Sequence, residues 1–193
     1  MFADTTIQIT ATGSRHLGAA IGCRTFVNQY VQKRVNKWID EVRCLTSIAR
    51  TQPHAAFCAY THGLAGKWTY LARTVANITD LLAPLEAVIR SELLPALTGR
   101  EAPNDVERDL LALPARLGGL GLIDPTQLTA EYEAYVKICA PLVALIAVQQ
   151  HDLQSTPSTQ KAIRSSFRRE RSLRLHTAAN VIHEKLPVQL QGL

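Results

Sequence analysis

The sequence predicts a mainly α fold: a helical bundle with a small N-terminal β-hairpin and a basic C-terminal helical tail. Three observations carry this. Apolar residues recur at three- and four-residue steps along residues 25–49, the strongest periodic signal in the chain. Helix start and stop residues punctuate the rest of the chain: Gln52-Pro53, Asn77-Ile78-Thr79-Asp80, Thr98-Gly99, Pro103-Asn104-Asp105 and Asp124-Pro125-Thr126. Strand-like alternation is confined to the first two dozen residues.

In chain order, Ile7 and Ile9 alternate with polar neighbours, as in a half-buried strand over residues 6–10. Ala11-Thr12-Gly13-Ser14 reads as a turn, and residues 15–21 as a second strand closed by Gly22. A lone hairpin is marginal in water, so this one packs on the helices or belongs to a larger sheet. Residues 25–49 then form a helix with Phe26, Val27, Tyr30, Val31, Val35 and Trp38 on its apolar side. Gln52-Pro53 ends it, because the residue before proline disfavours helix. A second helix is expected over residues 53–76, kinked between Gly63 and Gly66. A third runs to Leu97, and a short one covers residues 106–113.

Next comes Leu113-Pro114-Ala115-Arg116-Leu117-Gly118-Gly119-Leu120-Gly121-Leu122, a tight turn built on Pro114, Gly118, Gly119 and Gly121. Leu117, Leu120 and Leu122 are expected inside, with Gly118 or Gly119 at positive φ. A long helix follows over residues 127–150, then a polar linker and a basic helix. The expected division is residues 1–23 for the hairpin, 24–150 for the bundle, 151–160 for the linker and 161–193 for the tail.

Hydrophobic residues make up 47% of the 193, which excludes disorder over most of the length. No apolar run reaches the roughly 18 residues of a membrane span. Met1-Phe2-Ala3-Asp4 opens no signal peptide. The expectation is an intracellular protein, cytoplasmic or nuclear and not secreted, with no membrane partner. Cys23, Cys44, Cys58 and Cys139 lack both CxxC and zinc spacing, which fits reduced thiols.

The net charge of +5 has an address. Residues 161–174 hold six basic residues and one acid, leaving fifteen of each sign elsewhere. Arg168, Arg169, Arg171 and Arg174 form the core of this block. It reads as a nucleic-acid contact, a nuclear-localisation signal or a solvated linker. Lys33, Arg34 and Lys37 cluster near the polar face of the first helix, with Lys67 and Arg73 on the second. Such residues either follow a phosphate backbone or make an ordinary solvated face.

Motifs for catalysis are missing. Phe2-Ala3-Asp4-Thr5 lacks the second carboxylate of the aromatic-Ala-Asp-Asp box that holds polymerase metals. Gly118-Gly119-Leu120-Gly121 has neither GxxxxGK[ST] nor GxGxxG spacing. His54 and His62 share a helix face without a third ligand, and His183-Glu184 does not extend to HExxH. No cofactor, metal or small-molecule ligand is expected.

Four stretches, taken in order, resemble the C-terminal part of reverse-transcriptase-like proteins, the RNA-directed DNA polymerases of animal retrotransposons found in invertebrate genomes. They are Gly13-Ser14-Arg15-His16-Leu17-Gly18-Ala19-Ala20-Ile21-Gly22; Tyr30-Val31-Gln32-Lys33-Arg34-Val35-Asn36-Lys37-Trp38; Ala49-Arg50-Thr51-Gln52-Pro53-His54-Ala55-Ala56 with Lys67-Trp68-Thr69-Tyr70-Leu71-Ala72-Arg73-Thr74; and Pro95-Ala96-Leu97-Thr98-Gly99 with Asp105-Val106-Glu107-Arg108 and the glycine turn. The resemblance implies the end of the palm plus the helical thumb that grips the primer–template duplex. The metal-binding carboxylates of such polymerases lie upstream of this region.

The expected function is therefore a catalytically silent, thumb-like fragment that contacts a DNA or RNA backbone and pairs with a palm and fingers region encoded elsewhere. The alternative is a helical structural or interaction module that packs on a missing partner domain, with no nucleic-acid role.

Overall fold

The longest stripe of buried residues fixes the centre of the molecule. In the computed structural model, which describes residues 10–147 and 157–186, helix α1 spans Arg24–Ala49. Val27, Val31, Val35, Trp38, Val42, Leu45 and Ala49 form one buried seam along it. Their steps of three and four match the helical repeat, so the periodicity seen in the sequence is the packed face. Helices account for 75% of the structure, and the mainly α class with an N-terminal hairpin holds.

Helix α2, Pro53–Ala59, begins with proline in its first turn. It passes through a π-turn at Tyr60–Leu64 into α3, Ala65–Thr74. The irregularity in this run is the π-turn, which includes Gly63, whereas Gly66 lies within α3. Tyr60 and Trp68 are both fully buried. Eight residues apart, they would face roughly 80° apart on an ideal helix. A π-turn absorbs one residue and returns both to the same side. There Trp68 meets Trp38 edge-on at 5.9 Å and Tyr60 at 5.6 Å between ring centroids.

The third helical run is broken into a 3-10 turn Thr79–Leu82, α4 Ala83–Val88, a π-turn Ile89–Leu93 and α5 Leu94–Thr98. Pro95 explains the second π-turn: it has no N–H to donate, and its ring crowds the carbonyl one turn back. Gly99, at φ +68°, ends the run. Leu82, Leu85, Ile89 and Leu93 are fully buried in the same core as α1.

Strands β1, Gly13–His16, and β2, Ala19–Gly22, pair antiparallel with Ser14 opposite Ile21. The turn is Leu17-Gly18, not residues 11–14, and residues 1–9 lie outside the described residues. Leu17 and Gly18 both have positive φ, 47° and 87°, the conformation that suits strand twist in a two-residue turn. The hairpin packs on the helices. The Tyr30 hydroxyl donates to the Gly18 carbonyl at 2.7 Å, the Tyr70 hydroxyl donates to the Leu17 carbonyl, and Ala20 joins the core.

Helix α6, Asp105–Ala112, starts from a capping box in which Asn104 accepts from the Glu107 amide and Glu107 accepts from the Asn104 amide, both at 3.0 Å. In the glycine turn Leu113 and Leu122 are buried and Leu117 is half-buried. Leu120 is 44% exposed, against expectation. Gly118 and Gly121 both have positive φ and reverse the chain around it. The amides of Leu120 and Leu122 are held to the Leu111 carbonyl, which leaves the Leu120 side chain outside. Gly119 has ordinary φ, but a Cβ there would sit 2.0 Å from the Leu113 carbonyl oxygen.

Asp124 caps a 3-10 turn, Pro125–Gln127, that leads into α7, Thr129–Ala147. Helix α8, Pro157–Lys185, starts inside the expected linker, with proline again in the first turn; residues 151–156 lie outside the described residues. Its lower half is anchored: Ala179, Ile182 and Leu186 are buried, the first two in a cluster with Leu113 and with Val106, Leu110 and Leu117 around it. Among the described residues, no helix is long and apolar enough to cross a membrane.

Candidate nucleic-acid interface

The basic residues singled out in the sequence fall into two groups. Arg34, Lys37 and Lys67 line one shallow cleft of about 330 Å³ between α1, α3 and the hairpin turn, with Tyr70 and Glu41. Helical spacing creates it: Arg34, Lys37 and Glu41 lie one turn apart on α1, and Lys67 and Tyr70 one turn apart on α3. Lys33 is exposed on the adjacent flank.

Each cation in the cleft has a defined posture. The Arg34 guanidinium lies 5.3 Å from the centre of the Tyr30 ring, and its Nε donates to the Tyr30 hydroxyl at 3.3 Å. Because that hydroxyl in turn donates to Gly18, Arg34 steadies the hairpin turn. Lys67 Nζ is 2.7 Å from Glu41 Oε2, and Lys37 Nζ is 4.0 Å from Glu41 Oε1. Three cations against one carboxylate leave the cleft positive. Such exposed pairs are weak, so the lysines can exchange Glu41 for another anion.

Arg73 points elsewhere. Its Nε and Nη2 donate to Glu131 Oε2 at 3.0 and 2.9 Å, and Arg171 of α8 lies 3.3 Å from Glu131 Oε1. Arg168, Arg169 and Arg174 are exposed along α8. Arg174 also borders a groove of about 820 Å³ between α6, α7 and α8. Pro114, Gly118, Gly119 and Gly121 shape the turn near this groove and carry no reactive group.

The sequence reading missed the most buried charges. Arg108 is 3% exposed; its Nε and Nη2 donate to the two Glu86 oxygens at 2.6 and 2.8 Å, and its Nη1 to the Leu122 carbonyl at 2.6 Å. Burial pushes the Glu86 carboxyl above its usual range while Arg108 pulls against it. Burial also works against the Arg108 charge, but hydrogen bonds and attraction from Glu86 outweigh it and hold it protonated. Burial drives the neighbouring Tyr60 hydroxyl well above its ordinary value. This unit is a structural tie: it fastens the glycine turn to α4.

Among the described residues no three His, Cys, Asp or Glu side chains form a metal site. His54 and His62 are both exposed, and Cys23, Cys44 and Cys58 are free and exposed. No protein family, curated protein or solved structure matches the chain.

Proposed function

We propose that this chain is a catalytically silent, thumb-like module of reverse-transcriptase-like ancestry whose partner is the backbone of DNA or RNA. The supporting observation is the sharing of one cleft by Arg34, Lys37 and Lys67, drawn from two helices beside Tyr70. Lysine and arginine contact phosphates without reading bases, and the exposed Tyr70 ring offers a sequence-tolerant surface for an unpaired base. The parent family's chemistry belongs to a palm and fingers region, here a second partner encoded elsewhere. The setting for both partners is the cytoplasm or nucleus.

A salt titration tests this. Anisotropy of labelled single-stranded and duplex oligonucleotides should give affinities that fall linearly on a log–log plot against salt. Replacing Lys33, Lys37 and Lys67 together by alanine should flatten the single-strand slope by about 2. Unchanged helical circular dichroism would show that the fold survives these surface changes. Salt-independent binding overturns the reading.

One observation favours the alternative, a protein-interaction module. The groove between α6, α7 and α8 carries Leu173, 68% exposed, and Val181, 43% exposed. Exposed apolar residues around a groove suit a protein partner. Wild-type protein that binds no nucleic acid at low salt would favour this alternative.

A further inference from the structure

Glu131, near the start of α7, stands where α3, α7 and α8 meet. Oε2 accepts two hydrogen bonds from Arg73 and Oε1 faces Nη2 of Arg171. The Glu131 side chain is 14% exposed, whereas Arg73 and Arg171 are 43% and 44% exposed. The anion is sheltered and the two cations reach water. Guanidinium groups converging on paired oxygens form the arrangement that holds a phosphate. Here the chain supplies the anion itself.

Helix α8 gives this contact its meaning. Its lower half is fixed by apolar burial at Ala179, Ile182 and Leu186. In its basic upper half, Arg168, Arg169 and Arg174 are exposed. Arg171 ties that half to α7 and, through the shared carboxylate, to Arg73 of α3. Freeing Arg171 requires only that its side chain swing outward. The buried anchor residues need not move.

We infer that Glu131 is an internal competitor for the phosphate-binding arginines: a nucleic-acid backbone must displace its carboxylate before it can recruit Arg73 and Arg171. This rests on the proposed nucleic-acid function and adds a built-in restraint to it. With Glu131 in place the three groups sum to one positive charge. Without its charge they offer two cations facing the same solvent as the α8 arginines.

The test is Glu131→Gln, which keeps the shape and removes the charge. The probe is a fluorescein-labelled oligothymidylate, read by anisotropy across a salt series. Two newly available contacts should raise affinity roughly tenfold near physiological salt and steepen the salt slope by about 1.4. Arg171→Ala should cost about fourfold in the Glu131→Gln background and less than that in the wild type, where Glu131 still holds the guanidinium. Should Glu131→Gln disturb folding, Glu131→Asp keeps the charge on a shorter arm and should give an intermediate gain. Wild-type binding with no gain in either variant overturns the inference and leaves the proposed function standing. Absence of binding by wild type and variants alike overturns both. An equal gain for poly-glutamate would overturn nucleic acid as the displacing partner and assign the pair to acidic protein.

Discussion

Arg108 shows how much a single side chain can carry here. It is the most deeply buried charge among the described residues, and it spends all three of its observed hydrogen-bonding nitrogens inside the protein. Removing its partner leaves a cation in the interior with no water to solvate it. Glu86→Ala should therefore cost on the order of 3–5 kcal/mol, measured by urea unfolding. A loss under about 1 kcal/mol would show that Arg108 finds water and that the tie is slack. Nothing local in the sequence marks this pair. Arg108 sits among Asp105, Glu107 and Asp109 on a short helix and reads as one more solvated charge. Its partner lies 22 residues upstream, brought near only by packing of α4 against the turn. The contacts of Glu41 with Lys67 and of Glu131 with Arg73 were illegible for the same reason, since they span 26 and 58 residues; the Lys37–Glu41 pair, one helical turn apart, is by contrast local. Basic residues announce themselves in a sequence, but the carboxylates that restrain them are chosen by the fold.

At the scale of elements, the glycine turn separates two uses of glycine that look identical in sequence. Gly121 needs positive φ, 70°, and a Cβ there would meet nothing within 4 Å. Gly119 needs empty space, since a Cβ would lie 2.0 and 2.5 Å from two carbonyl oxygens of the backbone. Gly121→Ala should cost about 1–2 kcal/mol, the usual penalty for the left-handed region. Gly119→Ala must displace backbone and should cost more, on the order of 3 kcal/mol or above. Equal costs in thermal or urea unfolding would refute the distinction. The periodic helices were legible because one face of each is buried for most of its length, and the helix ends were legible through their caps and prolines. The hairpin register was not. Ala11-Thr12-Gly13-Ser14 has stronger turn chemistry than Leu17-Gly18, yet the turn forms where Tyr30 and Tyr70 can hold its carbonyls. Leu120 failed for a related reason: the alternation of inside and outside depends on backbone reversals that composition does not locate.

Taken whole, the molecule has one large core and a charged appendage resting on it. Among the described residues, the main cluster runs from Ala20 to Leu128 without a residue from α8, which joins only the small cluster around Leu113. Deleting residues 157–193 would remove seven basic and two acidic residues, leaving fourteen of each sign. The burial lost at Ala179, Ile182 and Leu186 is worth roughly 3–5 kcal/mol as an upper bound. Much of it is offset because the exposed upper half of α8 no longer has to be ordered. The shortened chain should therefore still unfold in one cooperative transition, within about 2 kcal/mol of the full chain. Both tryptophans lie in the main core, so their emission reports the body alone, while far-ultraviolet circular dichroism also registers α8. In the shortened chain the two signals should change together. Loss of the tryptophan transition would mean that the body needs α8 to fold, and the appendage would have to be counted as part of the core. With net charge near zero and Leu113 newly uncovered, the shortened chain should also be less soluble near neutral pH. That cost identifies a second physical role for the basic helix: it covers an apolar patch and keeps an otherwise neutral body charged.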